Sequence, residues 1–161
     1  PYVPTGDPMR DGVGPASYAE RKDWPDLTVE GAPRIAPLRV EKHLHVAAQD
    51  RDPRGFTVLG ADKKPAGEVS DIWVDRSEAI IRYLEVRLAN AGGTVLLPMT
   101  LAVVDMTRAR VMVDSILAGQ FAGVPRIKNP DQVTRLEEDK ICGYYGGGKL
   151  YATPLRSEPL I

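Results

Sequence analysis

The sequence predicts a mainly β fold: a small antiparallel β-barrel or rolled sheet, preceded by an extended N-terminal arm and followed by one C-terminal helix. Three observations carry this reading. Six short runs rich in Val, Ile, Leu, Trp and Tyr follow one another between residues 56 and 113, separated by turn-forming residues. Seven of the 14 prolines fall within the first 37 residues, a density that excludes long helices and central strands there. Beyond Asn129 the apolar spacing becomes three and four, the period of a helix.

Residues 1–37 form the arm. Gly6, Gly12, Gly14 and Gly31 lie among its prolines, and Thr5-Gly6-Asp7-Pro8 and Asp11-Gly12 read as turns. Its composition fits equally a linker and an arm that gains order by lying on a surface. The chain opens on Pro1 rather than methionine, so a preceding segment is expected. Leu38-Arg39-Val40 and His43-Leu44-His45-Val46 predict an edge strand with both histidines on one face. Such a pair holds a metal only with a third ligand from elsewhere; two solvated histidines flanking a buried leucine is the simpler reading, and no metal site is expected. Residues 49–54 read as a polar loop, 56–60 as a strand and 61–67 as a turn.

Residues 68–86 hold the clearest signal, two apolar runs joined by a charged connector, and predict a β-hairpin. Leu84-Glu85-Val86-Arg87-Leu88 alternates, which places Leu84, Val86 and Leu88 on one face with Ile72 and Val74 as partners. Bringing Ile72 opposite Leu84 requires an odd loop or a bulge; without either, Trp73 and Asp71 would face Leu84. A turn at 90–93 leads to strands at 94–97, ended by Pro98, and at 101–104 and 109–113. Asn129-Pro130 reads as a helix start, and a helix is predicted over 132–145 from Val133, Leu136, Ile141 and Tyr144 or Tyr145. Gly146-Gly147-Gly148 should end it, with an extended tail from Thr153. The expected units are therefore the arm at 1–37, a barrel-like domain at 38–125, and the helix and tail at 126–161.

Composition narrows the function. At 161 residues, 43% hydrophobic and 27% charged, the chain fits one globular domain. No run approaches the roughly 18 apolar residues of a membrane span. With 21 basic and 22 acidic residues the formal charge is -1, and no nucleic-acid partner is expected. The single Cys142 forms no internal disulfide and suits a reducing compartment. The chain has no Gly-x-Ser-x-Gly elbow, phosphate loop or His-Glu-x-x-His helix. A small hydrolase using Cys142 would need a positioned base that the sequence does not supply, so no catalytic residue is expected.

What remains is the charge at the hairpin end. Asp75 and Glu78 sit close enough for like charge to raise at least one pKa, and Arg82 opposes that rise. Such a group can hold and pass a proton through water; an ordinary solvated turn is the plain alternative. Glu137-Glu138-Asp139 reads likewise as a solvated helix face.

Three stretches point further: PTGDPMRDGVGPASYAERKDWPDL at 4–27, GEVSDIWVDRSEAIIRYLEV at 67–86 and VTRLEEDKICGYYGGGKLYATP at 133–154. Together they closely resemble the cytoplasmic part of the H subunit of the photosynthetic reaction centre of purple bacteria, and the middle region is similar to the PRC-barrel domain. The resemblance implies a PRC-type barrel and a single membrane-spanning helix preceding this chain. It also implies a location on the cytoplasmic face of the photosynthetic inner membrane, where the domain caps the L and M subunits and stabilises the complex. The light-harvesting antenna is a further implied neighbour. Family members perform no bond chemistry and hold no cofactor directly: bacteriochlorophyll, bacteriopheophytin and the secondary quinone belong to partner subunits. They line a proton route to that quinone.

Position by position, the resemblance gives Glu78 the role of proton relay, Asp75 that of its neighbour and Arg82 that of the adjacent cation. Glu138 and Asp26 match further acidic positions. Some relatives carry an aspartate and two histidines at the proton access point, where this chain has Thr28, Glu30 and Ala32. That departure moves the expected access to Glu30 or toward His43 or His45. A stand-alone PRC-barrel adaptor that binds RNA or a ribosomal protein is the alternative the middle region allows.

Overall fold

The computed structural model describes residues 3–46 and 52–157. Its seven strands are β1 (Ile35–Pro37), β2 (Thr57–Leu59), β3 (Pro65–Asp75), β4 (Ile80–Leu88), β5 (Thr94–Pro98), β6 (Val103–Asp105) and β7 (Arg110–Met112). They lie in the order β5-β4-β3-β2-β7-β6, and β1 pairs with the end of β3 that β2 leaves open. The sheet curls but does not close, so it is barrel-like only loosely. The expectation of a wholly antiparallel sheet is corrected at one place, where β2 and β7 run parallel, Val58 opposite Val111.

The edge strand expected at 38–46 does not form. The chain pairs earlier, at β1, and turns after Pro37, whose carbonyl accepts from both Val40 N (3.1 Å) and Glu41 N (3.2 Å). Pro37 is tolerated because β1 has β3 as its one strand neighbour, so its missing N–H breaks no second ladder. The loop expected at 49–54 lies partly outside the described residues.

The hairpin of β3 and β4 has the register its hydrophobic pattern demands. Ile72 faces Leu84 through a bulge on the turn side, and a second bulge follows beyond that pair. Ser70 is passed over between Val69↔Val86 and Asp71↔Glu85; Arg82 is passed over between Trp73↔Tyr83 and Val74↔Ile81. A bulge re-aims the extra side chain, and both of these residues serve the charged clusters described below. From Ile72 to Asp75 every residue is buried, so this end of β3 is covered on both faces.

The C-terminal helix α2 spans Arg135–Tyr151, later at both ends than the expected 132–145. Its start is a reciprocal cap: Thr134 Oγ1 accepts from Glu137 N (3.1 Å), and Glu137 Oε1 accepts from Thr134 N (2.9 Å). Asn129 instead turns the preceding loop by accepting from Asp131 N, 2.9 Å. The glycines do not end the helix, because their missing side chains make room for neighbours. A Cβ on Gly147 would stand 2.4 Å from Ala16 Cβ, one on Gly143 2.8 Å from Ala16 O, and one on Gly148 2.3 Å from Ser115 O.

The arm is thus laid on this chain's own helix. It is not wholly extended, since α1 (Pro8–Asp11) and a single 3-10 turn (Gly14–Ala16) punctuate it. Arg135 N and Leu136 N, two donors a helix start leaves without internal partners, donate to Trp24 O (3.0 Å) and Lys22 O (3.2 Å) of the arm. The tail also departs from the expected extended form, with a 3-10 turn at Pro154–Ser157 and Arg156 Nη1 donating to Ser115 O and Gly148 O, both 2.9 Å.

Candidate functional site

The turn between β3 and β4 is Arg76-Ser77-Glu78-Ala79, closed by Ala79 N donating to Asp75 O at 2.8 Å with Ala79 in the left-handed region (φ 56°). Asp75 ends β3 and is fully buried. Its Oδ1 accepts from Ser77 N (2.9 Å) and Glu78 N (3.1 Å), the local bonding by which an aspartate organises a turn. Arg34 comes from the arm to meet it, with Nε 3.0 Å from Oδ1 and 2.9 Å from Oδ2. The same guanidinium reaches Glu78 through Nη2 at 2.9 Å. From the other side the bulged Arg82 places Nη1 3.6 Å from Asp75 Oδ2.

Asp75 therefore lies between two cations. Burial alone would raise its pKa, but the Arg34 hydrogen bonds, the Glu78 and Ser77 N–H groups and the Arg34 charge outweigh it. The carboxyl is held below its ordinary value. This corrects the expected rise from like charge at Asp75: the turn holds the two carboxylates around a shared guanidinium rather than against each other.

Arg82 also reaches α2, Nη2 standing 3.6 Å from Glu138 Oε1. The same oxygen accepts from the buried Tyr83 hydroxyl at 2.6 Å. Burial pushes the Glu138 carboxyl above its ordinary value, while the Tyr83 hydrogen bond and the Arg82 charge counter part of that rise. The solvated helix face expected at Glu137-Glu138-Asp139 is corrected at Glu138 and also at Glu137, which is buried in the helix cap. Cys142 lies one helical turn beyond and is exposed at one side; the protein packed around its other side and the Glu138 charge push its thiol up, away from the thiolate a nucleophile needs.

Of the six residues proposed from the sequence, four are brought together: Asp75, Glu78, Arg82 and Glu138. Asp26 flanks them. Its Oδ1 accepts from Arg135 Nη2 at 2.7 Å, its Oδ2 is 3.9 Å from Arg34 Nη1, and the Arg135 bond holds its pKa down. Glu30 stands apart, exposed in an open cavity of about 870 Å³ that it shares with Glu41, His43 and Arg76. The sequence reading missed Arg34 and Tyr83. Tyr83 stands next to Arg82 in the sequence, but Arg34 has no local signal, because its role depends on β1 pairing with β3.

A second charged cluster was missed as well. Asp71 and Glu85, both buried, face each other across β3 and β4. Arg39 Nη1 reaches Glu85 (2.8 Å) and Asp71 (3.1 Å), while Ser70 Oγ (2.6 Å) and Trp73 Nε1 (3.3 Å) donate to Glu85. Among the described residues, no group of three or more His, Cys, Asp or Glu side chains is arranged to hold a metal. No helix among them is long and apolar enough to cross a membrane.

A curled sheet with an embedded knot of ion pairs defines a class before it defines a protein. Residues 46–119 match the PRC-barrel domain family, and the sheet from β2 to β7 falls within that span. Residues 1–40, the arm and β1, match the N-terminal region of the photosynthetic reaction centre H chain. With the two matches in succession, the chain is an H-subunit-like protein of the photosynthetic reaction centre.

Proposed function

We propose that this chain is a non-catalytic subunit that caps the cytoplasmic face of the reaction centre L and M subunits, stabilises their assembly and conducts protons to the secondary quinone. The quinone, bacteriochlorophyll and bacteriopheophytin are held by those partners, in a complex anchored in the photosynthetic membrane of a purple bacterium. The light-harvesting antenna is a further neighbour.

The supporting observation is an unbroken succession of charged groups that joins an exposed carboxylate to buried ones. Glu78, with 58% of its side chain exposed, leads through Arg34 to the fully buried Asp75, and Asp75 leads through the partly exposed Arg82 to Glu138 with 16% exposed. A quinone that gains two electrons needs two protons in a site shielded from water, so ionisable groups must bridge the surface and the dry interior. A guanidinium does not give up its proton at accessible pH. Arg34 and Arg82 therefore fix and balance the charges, while the carboxylates and intervening water carry the proton. Glu78 receives it, Asp75 is its coupled partner, and Glu138, with its raised affinity for a proton, passes it on. Glu30, apart from the cluster, is the surface access point, and Asp26 adds negative charge beside Arg34.

Glu78→Gln in the assembled complex tests this. The proton-coupled second electron transfer to the quinone should slow while the first, proton-independent transfer is unchanged. An unchanged second transfer would remove Glu78 from the route.

A further inference from the structure

Away from the Asp75 cluster, the face of β4 that carries Glu85 and Arg87 opens into a cavity of about 620 Å³. Four cations line it, Arg39, Arg87, Arg126 and Lys128, against one carboxylate, Glu85. Two of the four are already engaged with acids. Arg39 is held by Glu85, Asp71 and Asp131, and Lys128 by Asp23. The other two have no carboxylate partner among the described residues. Glu68 lies opposite Arg87 in the sheet register yet forms no ion pair with it. Arg126 is not a loose surface side chain: its Nη1 donates to Gly92 O (2.9 Å) and Thr94 O (3.3 Å). Those two carbonyls pin the guanidinium to the β4–β5 turn and leave its remaining N–H groups free to donate.

We infer that this cavity binds a phosphate-type oxyanion, held between the Arg87 and Arg126 guanidiniums. A pinned, planar guanidinium is pre-organised for the forked hydrogen bonding that phosphate oxygens accept. A second guanidinium, that of Arg87, which has no carboxylate partner among the described residues, supplies the balancing charge. Ile127 provides an apolar wall. A free phosphate and the headgroup of an anionic lipid present this same chemistry. The site shares no residue with the proton cluster and does not depend on that assignment.

The test is titration of the full-length protein at low ionic strength with inorganic pyrophosphate, and separately with soluble short-chain phosphatidylglycerol against phosphatidylcholine. Binding is read by calorimetry. Arg87→Gln and Arg126→Gln should each weaken binding by about tenfold or more, the loss expected for one charge-assisted hydrogen bond. Lys149→Gln, which removes an exposed charge on α2, should leave it unchanged. Pyrophosphate binding with this pattern supports a free oxyanion; binding of phosphatidylglycerol alone with the same pattern supports a lipid headgroup. Arg87 has no ion-pair partner to lose among the described residues, so its variant remains informative if Arg126→Gln perturbs the turn. Absence of binding to either anionic probe, or equal weakening by Lys149→Gln, overturns the inference.

Discussion

Arg34 Nε and Asp75 Oδ2 lie 2.9 Å apart although 41 positions separate the two residues in the chain. One belongs to the arm and the other to the hairpin, so this ion pair joins the two parts of the sequence that match different families. It also sets the charge of a fully buried carboxylate. Arg34→Met leaves Asp75 with two backbone N–H groups and with Arg82 at 3.6 Å. Burial then prevails and the Asp75 pKa rises. In the wild type the folded value is depressed, so Asp75 contributes stability above its ordinary 3.8, lost as pH falls through the folded value. The loss of melting temperature in Arg34→Met should therefore be largest near pH 7 and shrink as the solution is acidified below that range. An equal loss at every pH would assign Arg34 a packing role instead.

Tyr83 and Glu138 offer the opposite case. Burial raises the Glu138 pKa above its ordinary 4.5, so the folded state holds that proton more tightly than the unfolded chain does. Stability from this residue is fully present below 4.5 and falls as pH climbs through the raised value. The Tyr83 hydroxyl, at 2.6 Å, limits the rise by stabilising the carboxylate. Tyr83→Phe should cost about 1.5–3 kcal/mol at neutral pH, the range of a hydrogen bond to a charged group. It should also steepen the fall above pH 4.5, whereas Glu138→Gln should flatten it. Stability curves from denaturant titration across that range check both; parallel curves for all three proteins would rule out Glu138 as the titrating group.

Much of the architecture was legible because period-two alternation and turn residues are local signals. The order of six strands from residue 56 onward, the hairpin, and even the need for a bulge all follow from which residues must share a face. The parallel β2–β7 pairing was not legible, since it depends on where β6 and β7 land after the sheet curls. The glycine run misled for a related reason. Gly146-Gly147-Gly148 breaks a helix in isolation, but here Gly147 and Gly148 accommodate Ala16 and Ser115, which no local rule can foresee. The site divided in the same way. Asp75, Glu78 and Arg82 lie at one hairpin end and were found from spacing, and Glu138 and Asp26 came through family resemblance. Arg34 and the Arg39 cluster exist only once distant segments meet.

The glycine contacts yield a prediction in which two effects compete. Gly147→Ala gains about 1 kcal/mol of helix propensity. Its new Cβ, however, would stand 2.4 Å from Ala16 Cβ and 3.0 Å from Ala16 Cα, and overpacking of this kind costs about 1–3 kcal/mol. The clash involves backbone and a side chain with no rotamer to move, so the arm rather than the helix should give way. Limited proteolysis should cut within residues 10–25 faster in Gly147→Ala than in the wild type, with the helical circular dichroism retained. Gly146→Ala meets only Pro15 O at 3.2 Å and should leave the cleavage rate nearly unchanged. Equal protection of the arm in both variants would refute the close-approach account.

Arg39 holds the second cluster together, and its removal should be felt throughout the domain. It is the cation shared by Asp71 and Glu85, and it also bonds Pro130 O and Asp131 in the loop that precedes α2. Breaking a fully buried ion pair from one side costs about 3–5 kcal/mol, because the remaining charge is left uncompensated. The Arg39 side chain is 39% exposed, so water screens part of the loss and about 2–3 kcal/mol is expected for Arg39→Met. Glu85 keeps the Ser70 and Trp73 donors, and Asp71 Oδ1 keeps Ile72 N at 2.8 Å, which leaves unmatched charge rather than lost hydrogen bonds as the main penalty. Arg39→Met with Glu85→Gln, which removes one of those charges while keeping an acceptor, should therefore recover part of the stability. The double variant is measured against the two single ones by denaturant unfolding. If the two losses simply add, Arg39 acts through the 130–131 loop and not through the buried acids.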